Sequence, residues 1–265
     1  MDAEVKSRKT LLTIAEAIVI QHPDILDLLV EHQRKRLSDL VRGHFRGTVA
    51  YGPFKGMRLD AEAHWGADHG AMTLGLYEQE VLRELRDATR GRSVFVDLGA
   101  ADGYYGIGVL VAGMARKSYA FEMSQTGREF IARNADANRV RDRIEIRGEA
   151  TPEFFAEIDA AERDHAVLLV DIEGAEFEVL TAAAFAAFAK AVVIVEIHDW
   201  VDDYAVKFER LKADAAATHT VRAFCTGARD LSGLKELNTL PDTDRWLLCS
   251  EGRPRSMSWL RFDPR

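Results

Sequence analysis

Apolar residues recur at helical spacing near the start of the chain: Leu11, Leu12, Ile14, Ala15 and Ile18 form one run, Pro23 interrupts, and Ile25, Leu28, Leu29 and His32 resume it. The pattern predicts a helical extension over residues 1–45, ahead of a domain over 46–265. Glycine and histidine crowd the stretch from Gly43 to Gly75, where loop is expected, with a short hairpin at Tyr51 to Leu59. Then the pattern turns regular. A helix at Glu78 to Thr89 precedes an apolar strand, Ser93 to Leu98, a glycine-rich turn and a helix from Tyr105 to Ala115. Further strands are expected at Ser118 to Phe121, Arg143 to Arg147, Ala166 to Val170 and Val192 to Ile197, with helices at Thr126 to Ala137 and Ala175 to Ala187. Such alternation implies an α/β fold: a doubly wound, mostly parallel sheet covered on both faces. Two more strands, His219 to Cys225 and Arg245 to Ser250, bring the count to seven and are expected to pair antiparallel at one edge.

Composition narrows the function classes. With 35 Lys+Arg against 43 Asp+Glu the net charge is −8, and a general phosphate-backbone binder would carry a broad basic face, so nucleic acid is not the expected partner. Glu16, Lys190 and Glu196 break the longer apolar runs, so no membrane span is expected. The start Met1-Asp2-Ala3-Glu4 lacks a secretory signal pattern, and Cys225 and Cys249 are the only cysteines, which fits a reducing cytoplasm. Placed at the C-terminal ends of antiparallel strands, those two are not expected to form a disulfide. The basic run Arg34-Lys35-Arg36 lies among seven basic and seven acidic residues and reads as a solvated helix face.

The segment Val94-Phe-Val-Asp-Leu-Gly-Ala-Ala-Asp-Gly-Tyr-Tyr-Gly106 carries the most chemistry: a buried strand ending in an acid, a turn with Gly99 and Gly103, then a helix start. Glycine there lets backbone approach a ligand, and a helix N-terminus offers free N–H groups. The spacing Gly99-x-x-x-Gly103-x-x-Gly106 is not the Gly-x-Gly-x-x-Gly of dinucleotide binders, nor is it a P-loop. Asp97 and Asp102, set around Ala100 in the turn, are expected to repel a pyrophosphate and to suit a ligand carrying an ammonium and a sulfonium. At the next strand end, in Tyr119-Ala-Phe-Glu-Met123, Glu122 can accept hydrogen bonds from both hydroxyls of a ribose, with Met123 beside it.

On these motifs the chain resembles S-adenosylmethionine-dependent methyltransferases, and more narrowly the FkbM-type family. The resemblance runs from about Gly52 to Trp200. It rests on Gly-Pro-Phe-Lys-Gly56, Leu-Gly-Leu-Tyr-Glu78, Val-Asp-Leu-Gly-Ala-Ala-Asp-Gly-Tyr-Tyr105, Ala-Phe-Glu122, Leu-Val-Asp-Ile-Glu-Gly-Ala-Glu-Phe-Glu-Val-Leu180 and Val-Glu-Ile-His198. It implies a Rossmann-like seven-stranded methyltransferase sheet, S-adenosyl-L-methionine as cofactor, S-adenosyl-L-homocysteine as product, and transfer mainly to hydroxyls of sugars, glycan precursors or other secondary metabolites. Glu78 resembles a family position able to receive the methionine ammonium; a helix-start acid is the other reading. Tyr104 and Tyr105 either face the sulfonium or pack in the core, the core being the expected place for Tyr105.

Methyl transfer is an in-line displacement, so alignment dominates, with a base needed when the acceptor is a neutral hydroxyl. Asp171 ends one strand, with Glu173 and Glu176 close behind; Glu196, His198 and Asp199 end the next. Glu196 and His198 share a strand face, and His198 is the first choice as base. Asp171, Glu173, Glu196 and His198 would also suit a divalent ion, but no spacing signature supports one and no metal is assigned. Glu176 and Glu178 are read as helix-start acids. The loop His64-Trp-Gly-Ala-Asp-His69 is expected to act as a substrate lid. The alternatives kept open are N-methylation of a small amine, or an inactive cofactor-binding module acting through protein contacts.

Overall fold

A computed structural model of the protein describes residues 2–22, 24–64, 68–253 and 255–265. Four helices come first: α1 (Asp2–Gln21), α2 (Ile25–His44), α3 (His69–Thr73) and α4 (Gln79–Ala88). Alternation follows: β1 (Val94–Leu98), α5 (Tyr104–Val111), β2 (Lys117–Phe121), α6 (Gln125–Ala137), β3 (Ile144–Arg147), α7 (Ala160–Arg163), β4 (Ala166–Val170), α8 (Glu176–Val179), α9 (Ala182–Ala187), β5 (Val192–Ile197), α10 (Tyr204–Ala215), β6 (His219–Cys225), α11 (Asp242–Leu248) and β7 (Ser258–Pro264).

The sheet order is β3-β2-β1-β4-β5-β7-β6, with β7 antiparallel to both neighbours and the first five strands parallel. This is a Rossmann-like doubly wound, mostly parallel sheet. Strands β1, β4 and β5 are buried at every position because helices cover both faces, and this explains their continuous apolar runs. One core, with Phe95, Ile107, Leu169 and Ile194, fills one face; the other holds Val96, Phe121, Leu168 and Phe185. The strand order reverses between β1 and β4, so the crevice at their carboxyl ends is where such a sheet takes a ligand.

Several local expectations are corrected. Arg245 to Ser250 lies on α11 and the residues after it, with Pro241 before the helix and Asp242 and Asp244 in its first turn; the seventh strand is β7. A short apolar run such as Trp246-Leu247-Leu248 fits either state, and local acids at the helix start decide it. Cys249 therefore caps a helix and is buried, while Cys225 is exposed; both are free thiols. In place of a hairpin at Tyr51 to Leu59 there is a single bridge, Thr48 to Arg58, framing turns. The helix expected from Ala175 to Ala187 breaks at Leu180, and the Thr181 hydroxyl accepts the Ala184 N–H at 3.2 Å to start α9.

The N-terminal stripe faces outward: Leu11, Leu12, Leu28 and Leu29 are exposed, whereas Leu37 and Val41 farther along α2 pack with Leu74, Leu234 and Leu248. Arg34 is not on a solvated face. It is buried and ion-paired with Glu31 and Asp68, while Lys35 and Arg36 are exposed. Among the described residues no helix is long and apolar enough to cross a membrane.

Candidate active site

The turn after β1 is shaped by backbone contacts. Gly99 sits at φ +86°, and a Cβ there would stand 1.7 Å from the Asp171 carbonyl oxygen, so only glycine fits. The N–H groups of Gly99 and Ala100 donate to the Phe121 carbonyl at 3.0 and 2.9 Å, tying the turn to the end of β2. Asp97 and Asp102 lie beneath it rather than in the crevice. The Asp97 carboxylate accepts the Gly106 N–H at 3.1 Å and the Asp102 carboxylate the Tyr104 N–H at 3.2 Å. Burial, reinforced by the charges of Asp171 and Glu122, outweighs the Gly106 hydrogen bond and pushes Asp97 up to about 8.

Glu122 is held from two sides. One carboxylate oxygen accepts the Ala101 N–H at 2.9 Å and the other the Ser124 N–H at 2.7 Å. It borders a cavity of about 370 Å³ with Gly99, Ala101, Met123, Asp171 and Ile172. Each carboxylate oxygen keeps a lone pair for a further donor.

A second cavity of about 260 Å³ shares Tyr77, Asp171 and Glu173 with the first and adds Glu196, His198, Trp200 and Arg253. His198 is 2 % exposed. Its Nδ1 meets Glu176 Oε1 at 3.0 Å, and that same oxygen accepts the His198 backbone N–H at 3.0 Å. Its Nε2 faces the cavity, 3.5 Å from Asp171 Oδ1, 3.7 Å from Glu173 Oε2 and 4.0 Å from Glu196 Oε2. Burial disfavours the imidazolium, but the hydrogen bond and charge of Glu176, with Asp171 and Glu173, more than offset it and hold His198 above its ordinary range. Burial and the neighbouring Glu196 push Asp171 well up; burial and Glu78, opposed by Arg253, bring Glu196 to about 7.

Arg253 links this group to the loop before α4. Its guanidinium pairs with Glu78 and Glu196, and at 2.9 Å with Glu251. Glu78 also accepts the Tyr105 hydroxyl. Burial, against the opposing Arg253, drives Glu78 up to about 8. A third cavity of about 530 Å³ shares Glu251 and Arg253 and is lined by Arg229, Trp246 and Arg255. Three non-glycine residues of this region, Glu78, Ala101 and Glu173, have φ between +43° and +53°, backbone strain of a kind that gathers at functional sites.

Of the residues expected at the cofactor, Gly99, Ala101's neighbour Glu122, Met123 and Asp171 line the first cavity, while Asp97, Ala100, Asp102, Gly103 and Tyr104 form the layer behind. Tyr104 packs edge-on against Phe54 and Tyr77 at 5.2 and 5.8 Å, and Tyr77 is the ring that lines both cavities. Asp171, Glu196 and His198 are brought together as expected from adjacent strand ends. Glu176 does start α8, but its carboxylate is wholly buried against His198; Glu178 is the exposed helix-start acid. The Asp171-Ile-Glu-Gly-Ala-Glu176 spacing held that signal. Arg253 carried none, because 57 residues separate it from Glu196. Residues 65–67 of the expected lid lie outside the described residues; His64 and His69 flank them, with ring centroids 3.9 Å apart.

No family model matches the chain, and no curated protein matches it. Among solved structures, it is similar to Sp1610 of Streptococcus pneumoniae, a candidate tRNA (m1A22) methyltransferase in complex with S-adenosyl-L-methionine. Identity is 11%, with 70% of this chain and 72% of that one covered, at a TM-score of 0.47. A candidate methyltransferase of Escherichia coli, yhhF, gives 12% identity, 82% and 97% coverage and a TM-score of 0.47. The precorrin-6y C5,15-methyltransferase of Geobacter metallireducens GS-15 gives 12%, 78% and 93%, and 0.45.

Proposed function

We propose that the protein is an S-adenosyl-L-methionine-dependent methyltransferase of the FkbM type that O-methylates a hydroxyl of a sugar, glycan precursor or secondary metabolite. One observation carries this reading: Glu122, its carboxylate pinned by the Ala101 and Ser124 N–H groups, borders a cavity that adjoins the Asp171, Glu196 and His198 group through shared walls. A ribose diol donates to Glu122, and the sulfonium lies toward Tyr77, whose ring face attracts the cation. The acceptor enters by the second and third cavities, where Trp200 and Trp246 offer exposed aromatic surface. These cavities are rich in carboxylates, and the chain's net charge is −8, which favours a small molecule or glycan over nucleic acid.

In the transfer, a lone pair of the acceptor oxygen forms the new O–CH3 bond as the methyl–sulfur bond breaks. The bonding pair stays on sulfur, giving neutral S-adenosyl-L-homocysteine, and the hydroxyl proton leaves to the group of Asp171, Glu173, Glu196 and His198. Thermal-shift assays test the cofactor: S-adenosyl-L-homocysteine is expected to stabilise the protein and NAD or NADP at equal concentration to leave it unchanged. The reverse result removes the reading. Release of S-adenosyl-L-homocysteine with a pool of glycans tests the transfer, and its absence with every hydroxylated acceptor counts against an enzyme acting on oxygen.

A further inference from the structure

We propose that Asp171, Glu196 and His198 form a site for one divalent cation of the Mn2+ or Zn2+ kind, which activates the acceptor hydroxyl. The inference rests on the methyltransferase reading for its role, but not for the existence of the site. One ligand atom from each residue lies within 4.8 Å of the others. Ligands at about 2.0 to 2.2 Å from a common ion stand roughly 3 to 4 Å apart, and the His198 Nε2 separations of 3.5 Å from Asp171 and 4.0 Å from Glu196 already match.

Proximity of acids alone would not make a site; the way His198 and Glu196 are tied from behind, beside an unpartnered oxygen of Asp171, does. Nδ1 of His198 is engaged by buried Glu176, and Glu176 is fixed in turn by the Gly174 N–H at 2.8 Å. This carboxylate–histidine arrangement sets the tautomer with a proton on Nδ1 and a lone pair on Nε2, as in histidines that bind metals. The His198 side chain is 2 % exposed, and its Nε2 points into the cavity, 3.5 Å from Asp171 Oδ1. Glu196 gives Oε1 to Arg253, which leaves Oε2 turned toward His198. Asp171 Oδ1 is a buried atom with no hydrogen-bond partner. Ligand atoms of all three residues thus converge on the cavity, with His198 held by Glu176 and Glu196 by Arg253. One nitrogen and two carboxylate oxygens suit a borderline divalent ion better than Mg2+ or Ca2+, which prefer oxygen alone.

A cation there lowers the pKa of a hydroxyl set against it. The proton then passes to Glu173, whose carboxylate is 3.7 Å from Nε2 and 82 % exposed, and from there to water.

The test is a titration of the full chain without cofactor: Mn2+ followed by electron paramagnetic resonance, and Zn2+ by calorimetry. One equivalent of at least one ion is expected to bind. His198→Ala and Asp171→Asn should weaken it at least tenfold, and Glu176→Gln by 10- to 100-fold, the usual effect of an outer partner. Circular dichroism and thermal unfolding establish that each variant is folded, and the near-isosteric Asp171→Asn serves if His198→Ala is not. No bound equivalent of either ion, or binding equal in wild type and in folded variants, overturns the proposal and leaves Nε2 as the general base. S-Adenosyl-L-homocysteine binding, measured separately, bears on the cofactor reading only, so the two failures are distinguishable.

Discussion

A single oxygen, Glu176 Oε1, takes both the backbone N–H and the Nδ1 of His198, each at 3.0 Å. The ring is thereby fixed in rotation and tautomer, and Nε2 is delivered to the cavity with its lone pair free. His198→Ala is expected to lower the methyl-transfer rate a hundredfold or more, the range for losing an acceptor-activating group, with little change in cofactor affinity. Glu176→Gln keeps the volume but not the charge and should lower kcat about tenfold to a hundredfold. Full activity in His198→Ala under steady-state assay would remove the group from the chemistry and favour an amine or already ionised acceptor.

Glu122→Ala should weaken S-adenosyl-L-homocysteine binding by about 1 to 3 kcal/mol, as expected when hydrogen bonds to a charged group are lost. Titration calorimetry reads this directly. Unchanged affinity would place the ribose elsewhere.

At Gly99 the obstacle to a side chain is the protein itself, because the Asp171 carbonyl occupies the space and φ is +86°. Gly99→Ala is therefore expected to lower the melting temperature as well as abolish cofactor binding. A variant that melts like wild type yet fails to bind would show that the clash is with the ligand alone.

Asp97 gives a pH signature. Its folded pKa, up to about 8, exceeds the unfolded value near 4, so the native state holds the proton more tightly. The stability this proton contributes is present below pH 4 and is lost as pH rises through about 8. Asp97→Asn mimics the protonated form and cannot ionise. Its stability relative to wild type should rise from pH 5 to pH 8 in denaturant melts, and a constant difference would refute the assignment.

Burial on both faces made β1, β4 and β5 legible as apolar runs, and the strand-end acids Glu122, Asp171 and Glu196 could be placed because strands in a parallel sheet end at one edge. Short-range order thus fixed the turn, the strand ends and the convergence of Asp171 with His198. Tertiary structure alone decided which acids line the crevice: Asp97 and Asp102 turn under the backbone to satisfy N–H groups, while Glu122 stays at the cavity wall. It alone placed Arg253 between Glu78 and Glu196, and Glu176 behind His198. Local pattern records how often a residue meets one face of its own element. A buried carboxylate, however, takes whatever donor the folded chain brings to it, from any distance along the sequence.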